Sequence, residues 1–267
     1  MATTPPPPEP FDWYEAPLYY DIIFDADTPR ECDFLVALMR KHVRDLFPSA
    51  LEPACGTGRL LAELARRGVK ASGFDSSDGM IAFARRKLRT AGVRAPVRKA
   101  LMQDFRYRKP FDFAFCLVST FKHLLTEEDA AAHLRCVAAA LKPGGVYALG
   151  FHLTDYRRTR PETEQWSAER EGVRVVCTIE GGAPDSRTRL EPVRSLMVVR
   201  NPAGEPRRFE TRWSFRTYNA QEFRALLKRV PELEHVETYG FNMRIDRPIA
   251  FAKDRLDHIV VLRRREG

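Results

Sequence analysis

A glycine-containing turn between a predicted strand and a predicted helix is the feature of this 267-residue chain that most clearly indicates ligand binding. The stretch 51–60 reads LEPACGTGRL, and its Gly56 and Gly58 allow a ligand to approach the backbone closely. The helix that follows presents unpaired N–H groups at its N-terminus. The next predicted strand ends at Asp75, whose carboxylate can accept hydrogen bonds from both hydroxyls of a ribose. The pattern predicts a nucleoside site and makes a tight turn without a ligand the weaker interpretation.

The same turn argues against a dinucleotide. A dinucleotide turn follows the pattern G-x-G-x-x-G, in which the third small residue lets the helix pack closely on the strand. Counted from Gly56, that position holds Leu61, and counted from Ala54 it holds Arg59. Neither side chain is small, so a mononucleoside with a short zwitterionic tail fits the pattern better.

Short apolar strands alternate with helices around this turn. Alternation of this kind builds βαβ units with right-handed crossovers, and their strands form a parallel sheet. The sequence therefore predicts an α/β core. The first predicted strand ends near residue 51, the others cover 69–74, 97–101, 111–118 and 146–151, and the helices cover 58–67, 77–91 and 126–141.

The regions outside this core differ from it in composition. Apolar side chains at helical spacing, as far as Leu46 and Phe47, predict an N-terminal helical segment or lid. After residue 153 the alternation gives way to β-rich runs at 173–180, 188–200 and 207–218, separated by turn residues. Asn219 and Glu222 predict the capping box of a helix over 220–230, before two last strands. The predicted units are a flexible Pro-rich leader (1–10), the helical segment (11–47), the core (48–153 and 217–267) and an antiparallel β insertion (154–216).

Five motifs, in order, resemble those of the class I S-adenosyl-L-methionine-dependent methyltransferases. They are ACGTG (54–58), GFDSSDGM (73–80), QDF (103–105), FDFAFCLVS (111–119) and LKPGG (141–145). The resemblance covers residues 48–153 and, more loosely, the terminal strands. It implies a Rossmann-like, mostly parallel seven-stranded sheet with helices on both faces and an inserted antiparallel β meander. The insertion after the fifth strand is similar in layout to that of small-molecule N-methyltransferases, including those acting on amino sugars and on glycine-like amines.

The resemblance also implies S-adenosylmethionine as the cofactor and assigns its contacts. Glu52 would orient the methionine ammonium, Asp75 would bind the ribose hydroxyls, and Tyr20 would fold over the cofactor. Ala54 replaces the first glycine of the family's turn, and we expect it to adopt a strand-like φ with slightly altered affinity. The full set of predicted cofactor contacts is Tyr20, Glu52, Ala54, Gly56, Gly58, Asp75, Ser76, Met80, Asp104, Phe105 and Ser119.

Methyl transfer from a sulfonium is an in-line displacement, so alignment and desolvation of the nucleophile can supply most of the catalysis. The substrate is expected beyond the carboxyl ends of the fourth and fifth strands. His123 and His152 follow these strands and are the candidate general bases, with a purely structural role equally favoured for each. Ser119, Thr120, Phe121 and Lys122 share this region. Five dispersed cysteines, none in a CxxC pair, favour neither a zinc site nor a disulfide framework.

The favoured function is methylation of a small molecule, with an amine preferred to a hydroxyl or a carboxylate. A net charge of +8 keeps an RNA or protein methyltransferase as the alternative. The sequence nevertheless disfavours nucleic acid, because 117–120 reads LVST rather than [N/D/S]-P-P-aromatic and Cys116 follows Phe115 rather than proline. A non-catalytic cofactor-binding module is a third interpretation. We expect no membrane segment and a cytoplasmic location, and the family's insertion often mediates homodimerisation.

Overall fold

Twelve strands and six α-helices are present in the residues that the computed structural model describes, which are 7–45, 48–252 and 256–266. Short 3₁₀ turns occur at Trp13–Glu15 and Thr120–His123. The elements are β1 (Glu9–Pro10), α1 (Pro17–Asp25), α2 (Thr28–His42), β2 (Ser49–Pro53), α3 (Arg59–Arg66), β3 (Lys70–Asp75), α4 (Asp78–Thr90), β4 (Val97–Lys99), β5 (Phe111–Cys116), α5 (Glu127–Ala140), β6 (Leu141–His152), β7 (Glu162–Arg170), β8 (Val173–Gly181), β9 (Leu190–Arg200), β10 (Arg207–Arg216), α6 (Ala220–Lys228), β11 (Leu233–Tyr239) and β12 (Asp257–Arg264).

The central sheet has seven strands in the order β11-β12-β6-β5-β2-β3-β4. The pairs from β6 to β4 are parallel, and β12 is antiparallel to both of its neighbours. The predicted fold class is confirmed. The chain builds outwards from β2 through β3 to β4 and then returns to the other side of β2 as β5. This reversal opens a crevice at the carboxyl ends of β2 and β5, which is where open α/β sheets bind ligands.

Two apolar layers sandwich this sheet. Strand β5 reads FDFAFC and is buried along its whole length, as expected of a central parallel strand. Phe113 and Phe115 pack in the layer beneath α2, α3 and α4, whereas Ala114 and Cys116 face the layer beneath α5 and α6. Because β5 is held on both faces, the loop that follows it starts from a fixed position beside the crevice.

A second sheet has five strands in the order β1-β10-β9-β8-β7. The pairs among β7 to β10 are antiparallel. The sequence patterns predicted three of these four strands and missed β7, whose sequence ETEQWSAER is mostly polar and exposed. The sheet packs on the N-terminal segment through a cluster that includes Trp13, Ile22, Val175, Cys177 and Phe209. N-terminal segment and insertion thus form one layer over the crevice.

The N-terminal leader is more ordered than the sequence suggests. Glu9 and Pro10 form β1, which runs parallel to β10 opposite Phe209 and Glu210. The expectation of a flexible leader is wrong for these two residues, because the edge of β10 offers unpaired backbone groups that they satisfy. Residues 1–6 of the predicted leader, and Leu46 and Phe47 of the predicted helical segment, lie outside the described residues. No helix in the described part of the chain is both long and apolar enough to cross a membrane.

Candidate active site

The turn after β2 has three residues with left-handed backbone. Ala54 has φ +51°, Gly56 φ +51° and Gly58 φ +70°. The expectation of a strand-like φ at Ala54 is therefore wrong. An alanine with positive φ is strained, and such strain persists where the surrounding structure enforces it. Asp75, at the end of β3, helps to enforce it, because its Oδ2 accepts the Gly56 N–H at 2.8 Å and its Oδ1 accepts the Ser77 N–H at 2.9 Å.

Glu52 places a buried carboxyl group beside this turn. The residue is 8% exposed, and its Oε2 has no hydrogen-bond partner among the described residues. Burial raises the pKa of Glu52 well above its usual value, although the positive charge of Arg59 opposes the shift. An unpaired buried carboxyl group costs free energy unless a ligand supplies a donor. An ammonium group is such a donor, so the residue fits the methionine end of S-adenosylmethionine.

Arg59 is a candidate ligand contact that the sequence patterns did not single out. It is the first residue of α3, is 7% exposed, and lines the same cavity as Tyr20. Its guanidinium donates hydrogen bonds to Glu31 and, at 3.0 Å, to Thr28 of α2. A fixed cation near Glu52 complements the two charges of an amino-acid tail. The only sequence signal was a cation directly after the glycine turn.

Tyr20 lies over the turn, as the resemblance predicts for the lid. Its Cε1 is 3.8 Å from the point where a Cβ on Gly56 would lie. The ring packs against Trp13 and Phe24 with centroid separations of 5.5 and 4.5 Å. The next residue, Asp21, is 1% exposed and binds Lys87 of α4 and Arg170 of β7, each at 2.7 Å. This ion network joins α1 to α4, beside the central sheet, and to β7 of the five-stranded sheet. It therefore fixes the position of Tyr20.

Tyr20 and Ser119 line a large cavity, and Glu52, Ala54 and Gly56 line a small pocket that adjoins it at Tyr20. Six predicted contacts line neither, namely Gly58, Asp75, Ser76, Met80, Asp104 and Phe105. Met80 is buried in α4, with its N–H bonded to Ser77 Oγ, and Ser76 is exposed. Asp104 is exposed and forms an isolated bridge with Leu101. Phe105 is a core residue, with its ring 4.5 Å from that of Phe74.

The cavity has a volume of about 560 Å³ and lies between the two layers. Its floor is formed by the carboxyl ends of the central strands, which contribute Ser119, Gly150 and His152. Its roof is formed by the N-terminal segment and the inner face of the five-stranded sheet. The roof is strongly aromatic and includes Trp13, Tyr14, Phe24, Trp166, Trp213 and Phe215.

Both predicted histidines line this cavity. His123 Nε2 lies 2.9 Å from the hydroxyl oxygen of Tyr14, and its ring stacks on Trp213 at 6.3 Å between centroids. Burial lowers the pKa of His123 to about 4. His152 Nδ1 lies 2.9 Å from Ser119 Oγ, and burial lowers the pKa of His152 to about 3. Both rings are therefore neutral at neutral pH, and each is a weak base on its own.

Comparison with known proteins agrees with this geometry. Residues 50–145 match a family model described as a methyltransferase domain. A solved S-adenosylmethionine-dependent methyltransferase from Clostridium acetobutylicum superposes with a TM-score of 0.75 at 18% identity, covering 95% of this chain and 99% of that one. The chain has the class I methyltransferase fold. A sugar N-methyltransferase from Streptoalloteichus superposes with a TM-score of 0.72 at 22% identity, covering 100% of this chain and 98% of that one.

Among curated proteins, a dTDP-4-amino-2,3,4,6-tetradeoxy-D-glucose N,N-dimethyltransferase from Saccharopolyspora spinosa is 32% identical over 130 residues. The match covers 48% of this chain and 50% of that protein. The chain thus matches about half the length of this curated relative. The likeness to class I methyltransferases that carry a β insertion is confirmed for the fold and for the core domain.

Proposed function

We propose that the protein is an S-adenosylmethionine-dependent methyltransferase that methylates the nitrogen of a small-molecule amine. The observation that carries the proposal is the buried carboxyl group of Glu52, whose Oε2 has no hydrogen-bond partner among the described residues. It lines a small pocket between the left-handed turn and the aromatic cavity, at the crevice between β2 and β5. The methyltransferase-domain match and the sugar-amine relatives support the same activity.

The residues around the turn suit the parts of the cofactor. Glu52 would bind the ammonium and Arg59 the carboxylate, Asp75 has lone pairs left for the ribose hydroxyls, and Tyr20 would exclude water from above. When bound, S-adenosylmethionine supplies a methyl group on a sulfonium. Ser119, which forms part of the cavity floor, would lie beside the methionine end of the cofactor. All of these cofactor contacts stay predictions, and so do Gly58, Ser76, Met80, Asp104 and Phe105 as contacts of the nucleoside.

An amine fits the cavity better than a hydroxyl group does. The aromatic roof can hold an ammonium by cation–π contact, and Glu162 and Glu164 add carboxylates at the lining. A neutral amine attacks a methyl group without further activation, whereas a hydroxyl group needs a strong base. His123 and His152 are too weakly basic to provide one, because burial lowers the pKa of both.

The test is methyl transfer to matched acceptors. The protein is incubated with S-adenosylmethionine and with dTDP-4-amino-2,3,4,6-tetradeoxy-D-glucose or its 4-hydroxy analogue, and S-adenosylhomocysteine and the methylated product are measured. We expect turnover with the amine and none above background with the hydroxyl compound. Equal turnover of both, or methylation of the hydroxyl compound alone, would contradict amine specificity.

Homodimerisation, the cytoplasmic location and the absence of nucleic-acid binding stay predictions. Weak retention on heparin at physiological ionic strength would support a small-molecule substrate, and strong salt-dependent retention would favour the RNA or protein alternative. Homodimerisation is tested by sedimentation, and the cytoplasmic location by fractionation of the source cells.

A further inference from the structure

A lysine lies buried directly behind the cavity floor. The side chain of Lys122 is 0% exposed, although a lysine is almost never fully buried without a partner. Its Nζ lies 2.6 Å from His152 Nε2 and 3.4 Å from a carboxylate oxygen of Glu191. The amine also faces the ring of Phe215, 4.9 Å from the centroid. The two partners place Lys122 between the central sheet and the β insertion.

Lys122, His152 and Ser119 form a continuous hydrogen-bonded chain that ends at the cavity. His152 bonds Lys122 through Nε2 and Ser119 through Nδ1. A protonated Lys122 only donates, so it fixes His152 as the Nδ1–H tautomer, which then donates to Ser119. A neutral Lys122 can accept a hydrogen bond from the Nε2–H of His152. His152 Nδ1 then accepts from the Ser119 hydroxyl, so both hydrogen bonds reverse their direction. Ser119 has φ +58° and Val118 has φ +57°, a strained backbone that holds the serine at the end of this chain.

The surroundings of Lys122 bring its pKa close to neutral pH. Burial lowers the pKa of Lys122 to about 8, Glu191 raises it and Arg158 lowers it. Arg158 also binds the other oxygen of Glu191. The titratable and charged groups around Lys122 are His152 on β6, Arg158 in the segment before β7, Glu162 on β7, Glu191 on β9, and His123 on the same 3₁₀ turn.

We propose that Lys122 is the final acceptor of the proton that an amine substrate must lose, and that Ser119 and His152 carry this proton from the cavity. The inference rests on the proposed amine methylation. An N–H bond of the substrate ammonium breaks as Ser119 Oγ takes the proton. The serine proton passes to His152 Nδ1, and the Nε2 proton passes to the lone pair of neutral Lys122. The substrate becomes a neutral amine and Lys122 becomes an ammonium, with no oxidation or reduction.

Lys122 suits this role better than either histidine. A terminal acceptor works best when its pKa lies near that of the donor and near the working pH. The lowered pKa of Lys122 meets this condition, whereas the pKa of His152, at about 3, lets it pass a proton on without retaining it. Lys122 touches neither substrate nor cofactor in this scheme, so it acts through His152 and Ser119.

Nuclear magnetic resonance of ¹⁵N-labelled histidine tests the hydrogen-bonded chain of Lys122, His152 and Ser119 without a substrate. As the pH rises through about 8, His152 should change from the Nδ1–H to the Nε2–H tautomer, because Lys122 becomes able to accept. The signal is assigned with His152→Gln, and Lys122→Met should abolish the pH dependence. A His152 tautomer that stays constant from about pH 6 to about pH 10 would overturn the proposal.

Kinetics with dTDP-4-amino-2,3,4,6-tetradeoxy-D-glucose test whether methyl transfer uses this hydrogen-bonded chain. Glu191→Gln removes a negative charge that faces Lys122, so the ionisation in the pH profile of kcat should move to lower pH. Glu180→Gln is the matched control, because Glu180 lies on β8 and pairs with Arg194; its profile should be unchanged. An ionisation that does not move in Glu191→Gln would overturn the proposed proton path.

Two substitutions of the lysine separate proton transfer from a structural ion pair. Lys122→Met and Lys122→Arg should both lower kcat by about 100-fold, since arginine keeps the charge and cannot accept the proton. Recovery of activity by arginine would overturn the proposal. If wild-type protein methylates no amine while His152 changes tautomer as expected, the proposed function fails and the hydrogen-bonded chain is supported.

Discussion

The substitution Glu52→Gln tests the cofactor site, because the charge of Glu52 should favour cofactor binding and disfavour the stability of the ligand-free protein. In the folded protein the residue is 8% exposed, and one of its carboxyl oxygens has no hydrogen-bond partner in the described part of the chain, so the ionised form is unfavourable without a ligand. An ammonium group beside it would reverse that balance. Glutamine keeps the size of the side chain and removes the charge. We therefore expect weaker cofactor binding together with a more stable ligand-free protein.

The expected loss of affinity follows from one hydrogen bond to a charged group, which contributes about 1.5–3 kcal/mol. The dissociation constant for S-adenosylmethionine should rise roughly 10- to 100-fold. Because burial raises the pKa of Glu52, the wild-type affinity should increase with pH as the carboxyl group ionises, and the affinity of Glu52→Gln should not.

The effect on stability has a defined sign. A carboxyl group whose pKa is raised on folding opposes folding once it ionises. This cost is absent below the unfolded-state pKa of about 4.3 and is complete only above the folded-state pKa. The free energy of unfolding of Glu52→Gln should therefore exceed that of the wild type by an amount that grows as the pH rises from about 4.3.

Calorimetric titration and chemical denaturation at several pH values measure both effects. The matched control is Glu63→Gln on α3, where hydrogen bonds from Arg67 hold the pKa of Glu63 below its usual value. That variant should bind the cofactor normally and lose a little stability above about pH 4. Unchanged affinity in Glu52→Gln, or a loss of stability as the pH rises, would refute the role assigned to Glu52.

Three further predictions concern the surroundings of the turn. Asp75→Ala should weaken binding of S-adenosylmethionine by about 1–3 kcal/mol, and unchanged affinity in calorimetry would remove Asp75 from the site. Ala54→Gly should raise the free energy of unfolding by about 1 kcal/mol because it relieves a left-handed alanine, and a decrease in urea denaturation would contradict the strain. Asp21→Asn should cost about 2 kcal/mol, since it leaves Lys87 and Arg170 without their buried partner; unaltered thermal unfolding would show that this network does not hold the lid.

The core of the fold could be predicted because its signals are local. A buried run such as that of β5, the capping box of Asn219 and Glu222, and the glycine turn each depend on neighbouring residues. Strand β7 was missed because its outward side chains are polar, and its strand structure depends on pairing with β8. The short strand β1 was missed for the same reason, since a proline-rich segment becomes a strand only beside β10.

The site was predictable only in part. The positions of the turn and of the two histidines near the crevice follow from the order of the strands, because the carboxyl ends of parallel strands meet at one edge. Glu52 came only from the resemblance to the methyltransferases, and its role stays a prediction. The φ of Ala54 was mispredicted, since residue type alone does not reveal that the turn and Asp75 enforce a left-handed backbone. The burial of Lys122 depends on Glu191 from another sheet, and no local pattern contains that contact.

The measurement that tests the central claim most directly is calorimetric titration of the purified protein with S-adenosylmethionine and S-adenosylhomocysteine, with NADH as the control. The cavity, the unpaired Glu52 and the absence of a third small residue in the turn predict micromolar binding of both sulfur compounds and no binding of NADH. Binding of NADH alone, or of none of the three, would contradict the assignment of this site to S-adenosylmethionine.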